Sequence, residues 1–187
     1  MKAVFLDRDG VINENRAEHV KDWSEFQFLP GAPEAIARLA EAGIQVFIIT
    51  NQAIVNRGMV SRERVDGVNR RMVEEIECRG GSIAAVAYCP HRPDERCSCR
   101  KPQPGLLLRL ADEHRLELSA TVLIGDALTD IQAGQSAGCR TILVLTGRGA
   151  EQLAMANATG QNGFLVAADL SQACELVLGG LPAVDHR

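Results

Sequence analysis

Three short, uninterrupted apolar runs constrain the fold of this chain most strongly, because each one ends in a polar motif. They occupy residues 4–6, 46–49 and 122–124. Strands buried on both faces, as in a parallel sheet covered by helices, have this pattern. Segments with helical periodicity lie between them at 32–42 and 61–79, and a third helix is predicted to begin near Pro104. The alternation predicts an α/β fold with a doubly wound, mostly parallel sheet.

The rest of the chain extends this pattern into one predicted domain, residues 1–187. Further strands are predicted at 83–88, at 141–145 and, more weakly, at 164–166, and a last helix is predicted at 171–178. Residues 180–187 are expected to form a loose tail. The segments between Asn13 and Trp23 and between Gln52 and Arg62 are too short to hold a large cap domain. Any site at the edge of the sheet is therefore expected to be open to solvent.

Four polar motifs fall at strand ends or just before a helix. They read Asp7-Arg8-Asp9-Gly10, Thr50-Asn51-Gln52, Arg100-Lys101-Pro102 and Gly125-Asp126. Open α/β sheets bind their ligands outside the carboxyl ends of the strands, near the point where the strand order reverses. Each motif alone is also compatible with a solvated turn or a helix cap. Their common position predicts a single site for phosphoryl transfer.

The residue types in these motifs suit an aspartate nucleophile. Asp7 ends the first strand and can attack phosphorus to form an aspartyl-phosphate, and Asp9 can protonate the leaving oxygen and later activate water. Asp7 and Asp126 are hard-oxygen ligands suited to Mg²⁺, which would offset the repulsion between a carboxylate and a phosphate dianion. Asp130, one helical turn after Asp126, is a further ligand or orients a metal-bound water.

Basic and hydrogen-bonding residues complete the predicted substrate site. Lys101 offers a compact positive charge to the phosphate oxygens, and Thr50 offers a hydroxyl. Two arginines, Arg57 and Arg100, favour a substrate with a second phosphate, although loop arginines are often only solvated. The full set predicted to bind substrate or phosphate is Thr50, Asn51, Gln52, Arg57, Arg100 and Lys101.

A cysteine-rich loop at 89–101 predicts a structural zinc site. Cys89, His91, Cys97 and Cys99 supply three thiolates and an imidazole, enough to close a tetrahedral shell. The loop is otherwise polar and rich in proline, so metal binding could order it. The alternative is that these are ordinary loop cysteines beside an exposed histidine. Because Lys101 follows Cys99 by two residues, zinc is expected to hold the basic pair in position rather than to take part in chemistry.

Charge and hydropathy limit the kinds of partner that this chain can bind. A formal net charge of −4 argues against a general nucleic-acid binder, and the sequence has no apolar segment long enough for a membrane span. Because Met1-Lys2 leads directly into the first predicted strand, we expect no signal peptide. We expect a cytoplasmic monomer that acts on a small phosphorylated molecule and binds neither nucleic acid nor membrane.

The motifs D-R-D-G-V-I-N, T-N-Q, C-R-K-P and G-D-x-x-x-D resemble the signature blocks of the haloacid dehalogenase superfamily of phosphatases. The blocks F-L-P-G, C-P-H, C-x-C-R-K-P-x-P-G and A-G-C-x-T-x-L-V-x-T-G are similar to those of the heptose 1,7-bisphosphate 7-phosphatase family. The resemblance implies an enzyme of nucleotide-activated heptose synthesis, with a magnesium site that includes the backbone carbonyl of Asp9. It also implies that Arg100 contacts the distal part of the sugar phosphate.

Two departures from the family pattern bear on the substrate. Residues Ala53-Ile54-Val55 stand where the family commonly has Ser-Gly-Ile, which would alter the lip of the pocket, and Ala127 removes a lysine near the metal. Histidinol-phosphate phosphatase, or another small-molecule phosphomonoesterase, is an alternative on the same scaffold. A different class, a catalytically idle zinc-stabilised binding module, would predict the loss of Asp7, Asp9, Lys101 or Asp126, and all four are present.

Overall fold

The computed structural model describes residues 1–182 and contains one six-stranded sheet. All neighbouring strands are parallel, and their order is β3-β2-β1-β4-β5-β6. This arrangement confirms the predicted doubly wound α/β fold. The strands are β1 (Ala3–Leu6), β2 (Gln45–Asn51), β3 (Ala85–Cys89), β4 (Thr121–Gly125), β5 (Arg140–Val144) and β6 (Leu165–Ala167).

The helices cover both faces of the sheet. They are α1 (Ala32–Glu41), α2 (Arg62–Cys78), α3 (Gly105–His114), α4 (Leu128–Ala137), α5 (Gly149–Thr159) and α6 (Leu170–Leu178). Helices α1, α2 and α6 lie within one residue of their predicted bounds, and α3 begins directly after Pro104. Ser61 caps the start of α2 by accepting a hydrogen bond from the Arg64 amide. Helices α4 and α5 are additional to those that the periodicity predicts. Strands β3 and β6 begin slightly later than predicted, where pairing with β2 and β5 starts.

Alternate residues of the central strands enter two separate hydrophobic cores. Val4 and Leu6 belong to the core that contains side chains of α1, α2 and α6, such as Met72. Phe5 belongs to the opposite core, with Leu107 of α3. Because both faces of a strand are buried, its sequence shows no polar alternation, which explains the continuous apolar runs.

The strand order reverses between β1 and β4, and this is where the polar motifs meet. Both strands are paired in register along their length, with Leu6 opposite Ile124. Their carboxyl ends therefore open into the same crevice, which in this fold is the usual place for a ligand.

Residues 183–187 of the predicted tail lie outside the described residues. Just before them, Arg140 donates hydrogen bonds to the carbonyl oxygens of Leu181 and Pro182. Within residues 1–182, no helix combines the length and the hydrophobicity that crossing a membrane would need.

Candidate active site

Asp7 and Asp126 leave the sheet side by side. The Asp7 amide continues the ladder by donating to the Ile124 carbonyl at 2.9 Å, and Asp126 directly follows the paired strand β4. Gly10 has a positive φ of 92°, and a Cβ there would overlap the Asp126 carboxylate. The turn of the first motif thus needs glycine in order to pack against the second aspartate.

Three buried carboxylates, from Asp7, Asp126 and Asp130, form a cluster whose ligand atoms all lie within 4.8 Å of one another. Lys101 is their main counter-charge, with Nζ 2.8 Å from Asp7 Oδ1 and 2.6 Å from Asp130 Oδ1. Burial raises the pKa of Asp7 to about 6; the charge of Lys101 opposes this, and the neighbouring carboxylates of Asp130 and Asp9 add to it.

The carboxylates of this cluster and Lys101 shift one another's pKa values. Burial, together with the charge of Asp7, raises the pKa of Asp126. Burial alone would lower the pKa of Lys101, but the charges of Asp130 and Asp7 raise it above its ordinary value. One lysine thus serves several crowded carboxylates. The cluster fits Mg²⁺, which is bound in proteins by one or two carboxylates together with substrate phosphate and water.

Lys101 is held in place by its main chain as well as by its ammonium group. Asn51, at the end of β2, accepts a hydrogen bond from the Lys101 amide and donates one to the Lys101 carbonyl, each at 3.1 Å. Lys101 Nζ also donates to the Ile49 carbonyl at 2.9 Å. The Thr-Asn-Gln motif therefore fixes the lysine loop from fifty residues away in sequence.

Replacing Lys101 with methionine should lower the free energy of unfolding of the Mg²⁺-free protein by about 3 kcal/mol, since two buried carboxylates would lose their partner. Urea denaturation at pH 7 in buffer without Mg²⁺ or chelator, which keeps the zinc loop loaded, measures this change. Lys21→Met is the matched control, because Lys21 pairs with Glu18 and Glu25 at the surface and should cost less than about 1 kcal/mol. Equal effects of the two substitutions would contradict the assigned charge pairing.

Asp9 is held apart from the buried cluster by four donor contacts. Arg8 Nη2 lies 3.0 Å from both carboxylate oxygens, Asn13 donates to Oδ1 at 2.9 Å, and Gln52 donates to Oδ2 at 2.8 Å. Burial alone would raise the pKa of Asp9, but the Arg8 charge and these hydrogen bonds hold it below the ordinary value. Asp7 and Asp9 thus differ in environment: the pKa of Asp7 is raised, and that of Asp9 is lowered.

A cavity of about 370 Å³ opens above these groups. The predicted site residues Asp7, Asp9, Thr50, Asn51, Arg100, Lys101 and Asp130 line it. Asp126 is buried beneath it, and Gln52 is also buried, donating to both Asp9 and Thr50. Arg57 lies one contact further out, 3.3 Å from the ring of His19, which does line the cavity.

Several residues that line the cavity lie outside the sequence motifs, and Arg148 is the most informative of them. Its amide donates to Asp126 Oδ2 at 2.9 Å, and its guanidinium lies 3.4 Å from Oδ1. The only sequence signal is its position one residue after Thr146-Gly147, beyond β5. Arg148 supplies a cation next to Asp126, where the departure at Ala127 had suggested that one was lost. The other lining residues outside the motifs are Asn15, His19, Pro93 and Thr129, whereas Pro102 belongs to the third motif.

The departure at residues 53–55 lies outside the cavity wall as described for residues 1–182. Ala53 and Ile54 are buried, and none of the three residues lines the cavity within residues 1–182. The expectation that this segment alters the lip of the pocket therefore receives no support from the geometry.

The predicted zinc ligands form a tight cluster at the end of β3. The Cys89 Sγ lies 3.4 Å from His91 Nδ1, 3.5 Å from Cys97 Sγ and 3.3 Å from Cys99 Sγ. Cys99 Sγ is also 3.3 Å from His91 Nδ1 and 3.5 Å from Cys97 Sγ. Four nitrogen and sulfur atoms at this spacing fit a closed tetrahedral zinc shell. In such a shell zinc would be structural, with no open position for water.

Two family models match the chain in sequence, one after the other. A model described as haloacid dehalogenase-like hydrolase matches residues 4–97, and one described as HAD-hydrolase-like matches residues 98–173. Their boundary falls inside the zinc loop, so the first model covers Asp7 and Thr50, and the second covers Lys101 and Asp126.

Curated relatives of high similarity share one name, D-glycero-β-D-manno-heptose-1,7-bisphosphate 7-phosphatase. The protein of Bordetella bronchiseptica is 38% identical over 95% of this chain and 98% of its own length. That of Pseudomonas aeruginosa is 37% identical over 80% of this chain and 84% of its own length.

Solved structures agree with these relatives. The D,D-heptose 1,7-bisphosphate phosphatase of B. bronchiseptica, solved in complex with magnesium and phosphate, superposes with a TM-score of 0.90. It is 38% identical, with 96% of this chain and 99% of that chain covered. The corresponding phosphatase of Burkholderia thailandensis superposes with a TM-score of 0.73 at 34% identity, with 95% and 99% covered.

Proposed function

The chain belongs to the haloacid dehalogenase-like hydrolases, and we propose that it removes the 7-phosphate from D-glycero-β-D-manno-heptose 1,7-bisphosphate in nucleotide-activated heptose synthesis. The observation that carries this proposal is the buried cluster of Asp7, Asp126 and Asp130 with Lys101 at the floor of an open cavity. The relatives that carry this enzyme's name support the choice of substrate, because they match most of the chain.

In the proposed reaction Asp7 is the nucleophile. A carboxylate oxygen of Asp7 attacks phosphorus, the bond from phosphorus to the C7 oxygen breaks, and Asp9 donates a proton to that oxygen. The approach of a negatively charged phosphate favours the protonated form of Asp9 that this step requires. Asp9 then takes a proton from water, which attacks the aspartyl-phosphate, releases inorganic phosphate and regenerates Asp7.

Cationic groups lower the repulsion between Asp7 and the phosphate. Lys101 lies against Asp7 and can contact the transferred phosphate, and Asp130 holds its ammonium group on the other side. Asp7, Asp126 and the Asp9 carbonyl would bind Mg²⁺, which, when present, neutralises charge on the phosphate oxygens. Asp130 acts by positioning Lys101. Its side chain also accepts a hydrogen bond from the Ala127 amide at 3.1 Å.

Residues of the cavity wall bind both ends of the substrate. Thr50 and Asn51 contact the transferred phosphate beside Lys101. Arg100 lines the cavity and contacts the distal sugar phosphate, while Arg57 reaches it from beside His19. Gln52 contributes through its hydrogen bonds to Asp9 and Thr50. The zinc loop holds Arg100, whose guanidinium donates to the His91 carbonyl at 3.2 Å.

We further infer that the protein acts as a cytoplasmic monomer that binds neither nucleic acid nor membrane. A net charge of −4 and a small sugar phosphate as substrate argue against nucleic-acid binding. The cysteine pattern supports the cytoplasmic location, since clustered thiols with zinc spacing are typical of a reducing compartment.

Steady-state kinetics on three phosphate esters test the substrate. The purified protein with Mg²⁺ is assayed for phosphate release from the β and α anomers of the heptose bisphosphate and from histidinol phosphate. We expect kcat/KM to be at least about 100-fold higher for the β anomer, or about 2.7 kcal/mol of differential transition-state binding. A preference for histidinol phosphate, or slow and equal turnover of all three esters, would contradict the proposal.

A further inference from the structure

Arg8, between the two aspartates of the first motif, is a fully buried arginine with only 1% of its surface exposed. A guanidinium remains charged in proteins, so burying it is costly unless its donors are paired. Within residues 1–182 its guanidinium contacts the side chains of Asp9 and Asn69, and its Nε atom has no hydrogen-bond partner there. The proposed chemistry assigns no role to Arg8 or to Asn69.

The contacts of Arg8 link the catalytic loop to a distant helix. Arg8 Nη2 lies 3.0 Å from both carboxylate oxygens of Asp9, and Nη1 donates to Asn69 Oδ1 at 2.9 Å. Asn69 is buried on α2, sixty-one residues along the chain. The guanidinium therefore spans from a fixed helix to the proposed acid/base.

The main chain also restricts where the Arg8 side chain can go. The Arg8 carbonyl accepts hydrogen bonds from the amides of Ile12 at 2.8 Å and Asn13 at 3.1 Å, which closes the turn after β1. With its backbone fixed by this turn and its guanidinium fixed by Asn69, Arg8 has little freedom. Its contact with Asp9 can then set the direction of the carboxylate.

We propose that Arg8 and Asn69 are positioning residues for the acid/base Asp9. Asn69 orients the guanidinium of Arg8, and Arg8 holds both Asp9 oxygens at the angle from which one can reach the leaving oxygen. This inference rests on the proposed function, which assigns the proton transfer to Asp9. A proton donor must lie within hydrogen-bond reach of its target, so a small rotation of the carboxylate is enough to lose catalysis.

Leaving groups of different acidity test this role. p-Nitrophenolate departs without a proton, whereas a primary alkoxide needs one, so kcat/KM for p-nitrophenyl phosphate should depend little on the position of Asp9. In Asn69→Leu we expect kcat/KM to fall about 30-fold for the heptose bisphosphate and less than about 3-fold for p-nitrophenyl phosphate. Asn69→Asp keeps an acceptor for Arg8 Nη1 and should stay within about 3-fold of wild type on both esters.

Two further measurements keep the test independent of substrate identity and of folding. If the wild type prefers another primary alkyl phosphate, the substrate proposal fails, and the same comparison is made with that ester. If Asn69→Leu does not fold, Arg8→Lys replaces it, since it keeps the charge but loses the planar fork, and the same selective loss is expected. A crystal structure of the variant should show Asp9 in a changed rotamer. Equal losses on both esters, or an unmoved Asp9, would overturn the proposal.

Discussion

Replacing Asp7 with asparagine is expected to reduce kcat/KM by about 10⁵-fold or more while leaving the fold intact. An amide oxygen of the same shape cannot form the aspartyl-phosphate. The substitution also removes one negative charge from a buried cluster in which the pKa of Asp7 is raised to about 6. Lys101 would keep Asp130 and the Ile49 carbonyl as partners, so the metal-free variant should be at least as stable as the wild type.

Phosphate release measures the loss of kcat/KM, and urea denaturation measures the stability of the variant. Asp112→Asn, at an exposed position of α3, makes the same chemical change away from the cavity and should leave both quantities unchanged. Residual activity of Asp7→Asn above about 1% of wild type would be incompatible with a covalent role for this residue.

Loss of a zinc ligand should have the second-largest effect. In Cys97→Ser we expect zinc content to fall from about one ion per chain to nearly none, and kcat/KM to fall about 100-fold. The physical reason is that the zinc ligand Cys99 is followed directly by Arg100 and Lys101. The same loop is joined to the start of α3 by a hydrogen bond from the Gly105 amide to the Ser98 carbonyl at 3.1 Å. A loop that loses its metal would no longer hold the lysine between its aspartates.

Metal analysis by mass spectrometry, alongside the phosphate-release assay, checks this result. Cys78→Ser is the matched control, because Cys78 is exposed at the end of α2 and lies outside the four-residue cluster. The control should retain zinc and activity. If Cys97→Ser also retained one zinc ion per chain and full activity, the structural-zinc assignment would be wrong.

The sequence predicts the active-site edge of this fold well because its signals there are local. A continuous apolar run that ends in an aspartate shows both the buried strand and the polar group at its end, as Leu6-Asp7 and Gly125-Asp126 illustrate. The zinc ligands are also recognisable locally, since all four lie within the 89–99 segment.

Helices α4 and α5 are harder to predict because their apolar stripes are weak. In α4, a side chain at Gly134 would overlap Thr141. The close contact between this helix and β5 therefore requires glycine at a buried position where an amphipathic helix would usually carry a large apolar residue. In α5, only Gly149 and Ala156 are buried. Helical periodicity requires large apolar residues on one face, and neither helix supplies enough of them.

Contacts between distant segments explain the rest of what the sequence does not reveal. Arg148 meets Asp126 across twenty-two residues, Asn51 brackets Lys101 across fifty, and Arg8 meets Asn69 across sixty-one. No spacing rule links such pairs, since only the strand order brings them together. The burial of Arg8 is visible only in the structure. Arginines are mostly exposed, and nothing in the sequence indicates that this one is buried.

The most direct test of the central claim is to follow the reaction of the wild-type protein with the β-heptose 1,7-bisphosphate and Mg²⁺ by ³¹P NMR. The proposed function predicts that the resonance of the C7 phosphate is replaced by that of inorganic phosphate, while the C1 phosphate remains bound to the sugar. Release of the C1 phosphate first, or persistence of both esters under conditions where p-nitrophenyl phosphate is hydrolysed, would contradict it.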